Sequence, residues 1–249
     1  MIPMRALLII LYAIASFNSL AQNATEIVKK MDNNMRGRTS QAELSIKTTR
    51  PTWSREMQVK TWMKEGDYAM ILIQSPPKEK GIVFLKRKKE VWNWLPALER
   101  SIKLPPSMMT NSWMGTDFTN DDLVKESSAV EDYEHRLLKD TIIENRDCFF
   151  VSFIPKPNAS VVWSKILVAI DKKDFIEMYS EFYDEDNKLI SMMRSHNIQL
   201  VDGRMIPMHI EMIPVEKKGH KTDIFYKTIL FNRHIEDKFF SLEKMKQLN

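Results

Sequence analysis

The chain has 249 residues, 43% of them hydrophobic, which is enough for one sizeable core. Its formal charge is only +4, with 37 basic and 33 acidic residues interspersed, so no electrostatic footprint for nucleic acid is present. Cys148 is the single cysteine, which excludes an intrachain disulfide and leaves stability to the core.

The first residues have the pattern of a secretory signal: Arg5 supplies the charge, Ala6 to Ala15 an apolar run, and Ser19-Leu20-Ala21 a small-x-small cleavage site. Residues 1–21 are therefore expected to be a signal peptide. Residues 22–249 are then expected to form a single domain, soluble and exported. The apolar run is short for a membrane span, and no cysteine stands at the cleavage point to carry a lipid anchor. Asn23 to Met35 reads as a helix with Asn23 at its cap, Glu26 three residues on, and Ile27, Met31 and Met35 on one face. Gly37 ends it. Such a helix either packs on a core or plugs an open cavity.

From Gln41 the period of the pattern drops to two. Ala42, Leu44 and Ile46 alternate with polar residues, and Met57, Val59, Thr61 and Met63 do the same around a turn at Lys64–Asp67. Tyr68 to Gln74 is apolar on both faces and ends at Ser75-Pro76-Pro77. Gly81–Lys86 and Glu90–Leu95 form a hairpin whose tip is Lys86–Lys89, read as a solvated turn or a docking patch. Trp92 and Trp94 share one face of the second strand. A basic segment with Arg100 and Lys103 follows, then the Pro105-Pro106 break, a Trp113-Met114-Gly115 turn and a short helix or lid over Asn120–Val130. Strands are expected over His135–Glu144, Asp147–Pro155, Val161–Asp171, Phe175–Asp184, Leu189–Val201, Met205–Val215 and Lys221–Ile235, joined by polar turns. Phe239 to Leu248 reads as a closing helix. Cys148 lies within an apolar strand and is expected to be an inert core thiol.

About a dozen serial strands are more than an open sheet tolerates without curling. The fold class is therefore mainly β: a large curved antiparallel sheet, an unclosed half-barrel, with a few helices over its concave apolar face. Seventeen methionines and six tryptophans suit an adaptable apolar surface, or simply an irregular core. Met57, Val59, Met63, Trp92, Trp94, Trp113, Met114, Phe118, Met178 and Met192 are the candidates for a lipid-binding cavity and its lid, with Pro105, Pro106 and Gly115 as hinges. Arg50, before Pro51, falls at a strand end near the mouth of such a cavity.

No catalytic constellation is present in the sequence. The five histidines (His135, His196, His209, His220, His234) are not paired at metal-ligand spacing, and six glycines build no phosphate loop. No enzyme activity, cofactor or metal is expected.

Trp92, Trp94, Leu95, Pro96, Ala97, Leu98 and Arg100, followed by Met114, Gly115, Asp117, Phe118, Asp122 and Leu123, form a pattern that resembles the outer-membrane lipoprotein-sorting family, the LolA-like periplasmic carriers, in its longer branch. That branch carries an aromatic residue where this chain has Asn120. The resemblance implies an unclosed barrel with a helical lid over an apolar cavity. It also implies a location in the periplasm and a carrier that takes acyl chains of lipoproteins or related lipids toward the outer membrane. Its partners would be an inner-membrane transporter and an outer-membrane acceptor, and the carrier itself a monomer. Arg100 and Asp117 are read as a structural salt bridge or turn cap. The alternative function is a periplasmic accessory that docks on a membrane exporter, for instance through Lys86–Lys89, without carrying lipid.

Overall fold

The structure is a computed structural model that describes residues 23–65, 67–88, 90–125 and 128–248. The expected signal sequence and cleavage site lie outside the described residues, as does Lys89 of the basic tip. Among the described residues no helix is long and apolar enough to cross a membrane.

Helix α1 covers residues 23–36. Ala24, Ile27, Val28 and Met31 are buried at the three-and-four spacing of one helical face. Asn23 is already helical rather than capping. Gly37 ends the helix at φ 62°, its N–H donating to the Asn33 carbonyl at 2.9 Å.

Strands β1 (Thr39–Thr49), β2 (Ser54–Lys64), β3 (Tyr68–Ser75), β4 (Val83–Arg87), β5 (Glu90–Leu95) and β6 (Arg100–Leu104) form a first antiparallel meander. Strands β7 (Tyr133–Leu137), β8 (Thr141–Ile143), β9 (Arg146–Pro155), β10 (Lys165–Asp171), β11 (Glu177–Tyr183), β12 (Leu189–Val201), β13 (Arg204–Pro214) and β14 (Lys221–Phe231) form a second. Pairing of β1 with β14 joins them into one 14-stranded sheet with β6 and β7 at its edges, so the sheet is not closed into a barrel. Register shifts at Glu43/Leu44, Gln58/Val59, Ala169/Ile170 and Phe182/Tyr183 mark bulges, which sharpen local twist and bend the sheet. This is the expected fold class.

Particular elements differ from the sequence reading. The basic segment at Arg100–Leu104 is a strand, pairing with β5 from Val91↔Leu104 to Leu95↔Arg100. The strand expected over His135–Glu144 breaks after Leu137 and resumes as the short β8, both halves pairing with β9. The expected lid helix is one π-helical turn, Asp121–Lys125. The closing helix is a 3-10 turn, Asp237–Phe239, followed by α2, Leu242–Gln247, whose N-terminus is capped by Ser241 Oγ accepting from the Lys244 N–H at 3.1 Å.

The sheet carries apolar layers on both faces. β3 shows why its sequence is apolar throughout: Ile71 and Ile73 join the inner core, while Met70 and Leu72 join an outer cluster with Phe240 and Met245 beneath α2. On the inner face, α1 packs on Val151, Phe153, Val168 and Ile170 of β9 and β10. Cys148 is buried on β9, and burial pushes its thiol up to about 11, which removes the thiolate at neutral pH.

Candidate functional site

The inner face, α1 and the 105–123 segment enclose a cavity of about 300 Å³. Its floor is aliphatic and comes from the middle of the sheet: Leu44 and Ile46 of β1, Val59 of β2, Ile210 of β13 and Ile224 of β14. Phe153, Trp163 and Phe182 form the far wall, with Trp163 and Phe182 rings 5.2 Å apart. Met31, Met35, Met63, Met193 and Met212 also reach it. Unbranched thioethers can re-pack around differently shaped apolar guests at small cost.

The segment from Pro105 onward is the flap over this cavity. It turns through 3-10 helices Pro106–Met108 and Trp113–Gly115, with Met114 at φ 50° and Gly115 at φ 75°. Its own backbone ties it together: Trp113 N–H donates to the Phe118 carbonyl at 2.9 Å, Asn120 N–H to Asn111 at 2.8 Å, and Asp121 N–H to Met109 at 3.1 Å. Asn120, at the position aromatic in the longer branch, is buried and donates its side-chain amide to the Met108 carbonyl at 2.8 Å. Trp113 is 1% exposed and rests on Phe84, with ring centroids 5.4 Å apart.

Two arginines at the β1–β2 turn latch the flap to the sheet. Arg50 Nη1 donates to Asp117 Oδ2 at 2.9 Å and its Nη2 to the Gly115 carbonyl at 2.8 Å. Arg55 donates to the Met114 carbonyl and pairs with Glu79 at 3.4 Å. Thr222 of β14 completes the latch: its hydroxyl donates to Asp117 Oδ2 at 2.7 Å and accepts the Asp117 N–H at 2.9 Å. Asp117 thus makes the structural ion pair expected of it, but with Arg50; Arg100 is exposed at the start of β6.

Polar groups are a minority of the lining: Asp32, Arg36, Ser40, Thr61, Asp121, Asp122 and Glu177. Asp32 and Arg36 of α1 pair at 2.8 Å, and Ser180 donates to Glu177. Asp122 accepts from Trp163 Nε1 at 2.9 Å and from the Thr119 N–H at 2.7 Å, while its own N–H donates to Thr119 Oγ1 at 3.1 Å. Desolvation against the cavity wall raises the Asp122 carboxyl above the ordinary aspartate value, overcoming the opposing hydrogen bonds from Trp163 and Thr119. The folded state therefore holds this proton more tightly than the unfolded chain does. The resulting stabilisation is fully present below about pH 3.8 and is lost as pH rises through the raised folded value. Melting curves of wild type and Asp122→Asn between about pH 4 and about pH 7 should show wild type gaining on the variant as pH falls. Parallel curves would contradict this assignment.

The sequence-derived candidates divide by strand face. Val59, Met63, Trp113 and Phe118 line the cavity. Met57 is fully buried in the same inner cluster, and Met114 packs against that cluster; neither faces the cavity. Trp92 and Trp94 lie on the opposite face, because Val91 of the same strand takes the inner side; they pack in the outer cluster, with Lys103 over Trp92 and Lys246 of α2 over Trp94. Met178 is the unpaired residue of the β10–β11 bulge, and it turns to Cys148, Ala169 and Ile176. Met192 pairs with Ile213, while its neighbour Met193 pairs with Met212 and faces inward. Lys86 of the basic tip is only 7% exposed, so the solvated charges described there are Arg87 and Lys88. Sequence reasoning missed Phe182, Ile210, Ile224 and Trp163, although Ile210–Met212 and Ile224–Tyr226 each keep a period of two on one face.

Solved structures share this architecture. A DUF1329 family protein from Desulfovibrio piger superposes with TM-score 0.83 at 18% identity, over 91% of this chain and 99% of that one. A putative outer membrane lipoprotein-sorting protein domain from Vibrio parahaemolyticus gives 0.80 at 23%, over 91% and 99%. A LolA superfamily protein from Nitrosomonas europaea gives 0.77 at 22%, over 89% and 98%. At these identities the likeness is one of fold. No curated protein matches the chain. The model of a family described as uncharacterized protein matches residues 65–247, most of the chain. The chain belongs to this family. The matched span starts at the β2–β3 turn and holds the flap, most of the outer aromatic cluster and all of β7–β14.

Proposed function

We propose that this LolA-like protein is a periplasmic, non-enzymatic carrier that shelters acyl chains of lipoproteins or related lipids on their way to the outer membrane. The observation that carries this reading is the apolar cavity of about 300 Å³ behind a latched flap. Its size is at the lower end of small-molecule sites, which run from about 300 to about 1,000 Å³. At about 30 Å³ per water-sized group, such a space accepts on the order of ten methylenes. Each methylene sheltered is worth about 0.8 kcal/mol, so even partial occupancy by one chain offsets a large hydration cost. Binding by dispersion and burial, with few directional contacts, lets a carrier release what it holds. The lipoprotein-sorting name of the Vibrio parahaemolyticus neighbour agrees with this reading. An exporter-docking accessory through the basic tip is less favoured, since Lys86 is buried and only Arg87 and Lys88 of the described tip residues are exposed.

Native mass spectrometry of protein purified from a periplasmic extract, followed by lipid extraction, tests the proposal. Co-purifying lipid or acylated peptide is expected. Ala42→Phe, which fills the cavity from β1 without adding charge, should lower acyl-probe uptake by tenfold or more at about one kilocalorie of strain. A clean apo-protein that takes up no fluorescent acyl probe would sink the carrier reading.

A further inference from the structure

Antiparallel order puts the β1–β2, β3–β4, β5–β6 and β13–β14 turns at one end of the sheet. They form a continuous rim, with Gly219 against Pro51 and Gly81 against Pro96. Three apolar side chains stand out from it: Trp53 at 50% exposure, Leu98 at 61% and Val215 at 44%. Around them Lys78, Lys80, Lys217 and Lys218 are exposed. The acids between these lysines are committed elsewhere, Glu79 to Arg55 at 3.4 Å and Glu216 to Lys188 at 2.5 Å. Glu99 of the β5–β6 turn and Glu185 and Asp186 of the β11–β12 turn are also exposed at this end, so the excess of positive charge is local to the β3–β4 and β13–β14 turns.

We propose that this rim docks on an anionic lipid bilayer, with Trp53 at the headgroup level and the lysines against lipid phosphates. The chemistry selects a bilayer over a protein. Trp53, Leu98 and Val215 come from three different turns, and an exposed indole with lysines on the same rim matches what partitions into a membrane interface. Each lysine near an anionic surface adds attraction that salt screens. The rim also adjoins the flap latch. The Arg50 guanidinium, which holds Asp117 and the Gly115 carbonyl, stands 5.8 Å from the Trp53 ring centre. A membrane that takes up Trp53 thus contacts the residue beside the latch, which places cavity opening at the lipid surface. Docking itself does not depend on the carrier reading, since it concerns a different surface and a different measurement.

The test is flotation of the purified protein with vesicles of phosphatidylcholine alone or mixed with phosphatidylglycerol, at low and high salt, with acyl-probe uptake measured in parallel. Binding to the anionic vesicles is expected to be at least tenfold tighter than to neutral ones and to weaken with salt. Lys217→Glu with Lys218→Glu should reduce it by about tenfold or more. Trp53→Ala should reduce it several-fold, and Trp53→Phe should remove a vesicle-induced blue shift in tryptophan fluorescence. Arg87→Glu with Lys88→Glu, at the opposite end of the sheet, should leave binding unchanged. All these residues are exposed, so melting temperatures should match wild type. Equal binding to both vesicle types, no binding, or rim variants indistinguishable from the opposite-end variant would overturn the proposal, as would salt-sensitive capture of a protein by the rim without vesicle binding. Loss of probe uptake with vesicle binding intact would count against the carrier reading alone.

Discussion

Trp113→Ala is expected to destabilise the protein by about 3 to 5 kcal/mol, the cost of emptying a large buried aromatic site. The ring is 1% exposed, packs on Phe84, and forms part of the cavity wall. Truncation removes the wedge by which the flap sits on the sheet, while the Trp113 backbone keeps its hydrogen bond to Phe118. The flap then loses its seat but not its shape. Two readings should move together: a lower midpoint in urea with little change in slope, and faster exchange of an acyl probe with solvent. A variant with wild-type stability would mean that the flap does not rest on this ring. Trp113→Phe keeps the contact with Phe84 and should recover most of the loss.

Arg50→Ala is expected to cost about 3 kcal/mol, because it strips the partner from a largely buried carboxylate. Side chains of Arg50 and Asp117 are 11% and 4% exposed, so solvent screens the pair little. Asp117 keeps the Thr222 hydroxyl but loses its countercharge, and the Gly115 carbonyl loses a donor. In a chain of this size the melting temperature should fall by roughly 10 °C. A cycle with Asp117→Ala separates the pair from its neighbours: strong coupling is expected, and additive losses would show that the latch is carried by backbone contacts instead. Arg50→Lys should rescue only in part, since an ammonium cannot span the carboxylate and the carbonyl as the guanidinium fork does.

Strand periodicity made the fold legible, because a half-buried strand writes its two faces into alternate residues. Ala42, Leu44 and Ile46 are one such record, and so are Val59 and Met63. What alternation cannot say is which face is inner once both are covered. Trp92 and Trp94 were rightly placed on one face of β5, but α2 covers that face from the outside, and a helix as short as Leu242–Gln247 does not announce where it docks. Bulges did the remaining damage. One unpaired residue at Met178 reverses its facing, and Met192 and Met193 are chemically identical neighbours that only register can tell apart. The latch was hidden for another reason: Arg50, Asp117 and Thr222 are remote in sequence and meet only because β1, β14 and the flap converge.

That convergence bears on how the chain acquires its structure. Each meander is built from neighbours in sequence, and such hairpins close quickly. The seam between β1 and β14 is different, since it joins Ser40 to Phe231 and Thr49 to Lys221. Loop-closure entropy opposes that step until nearly the whole chain has emerged. α1 crosses the same divide, running from the start of β1 to pack on β9 and β10. The two wings are thus positioned to form early and separately, with the seam and α1 zipping last. Until they do, β1 and β14 are bare edges flanked by apolar faces, the kind of species that aggregates or calls for a chaperone. The slow phase of refolding should accordingly report on residues of the seam, in the middle of the finished sheet, and not on its edges.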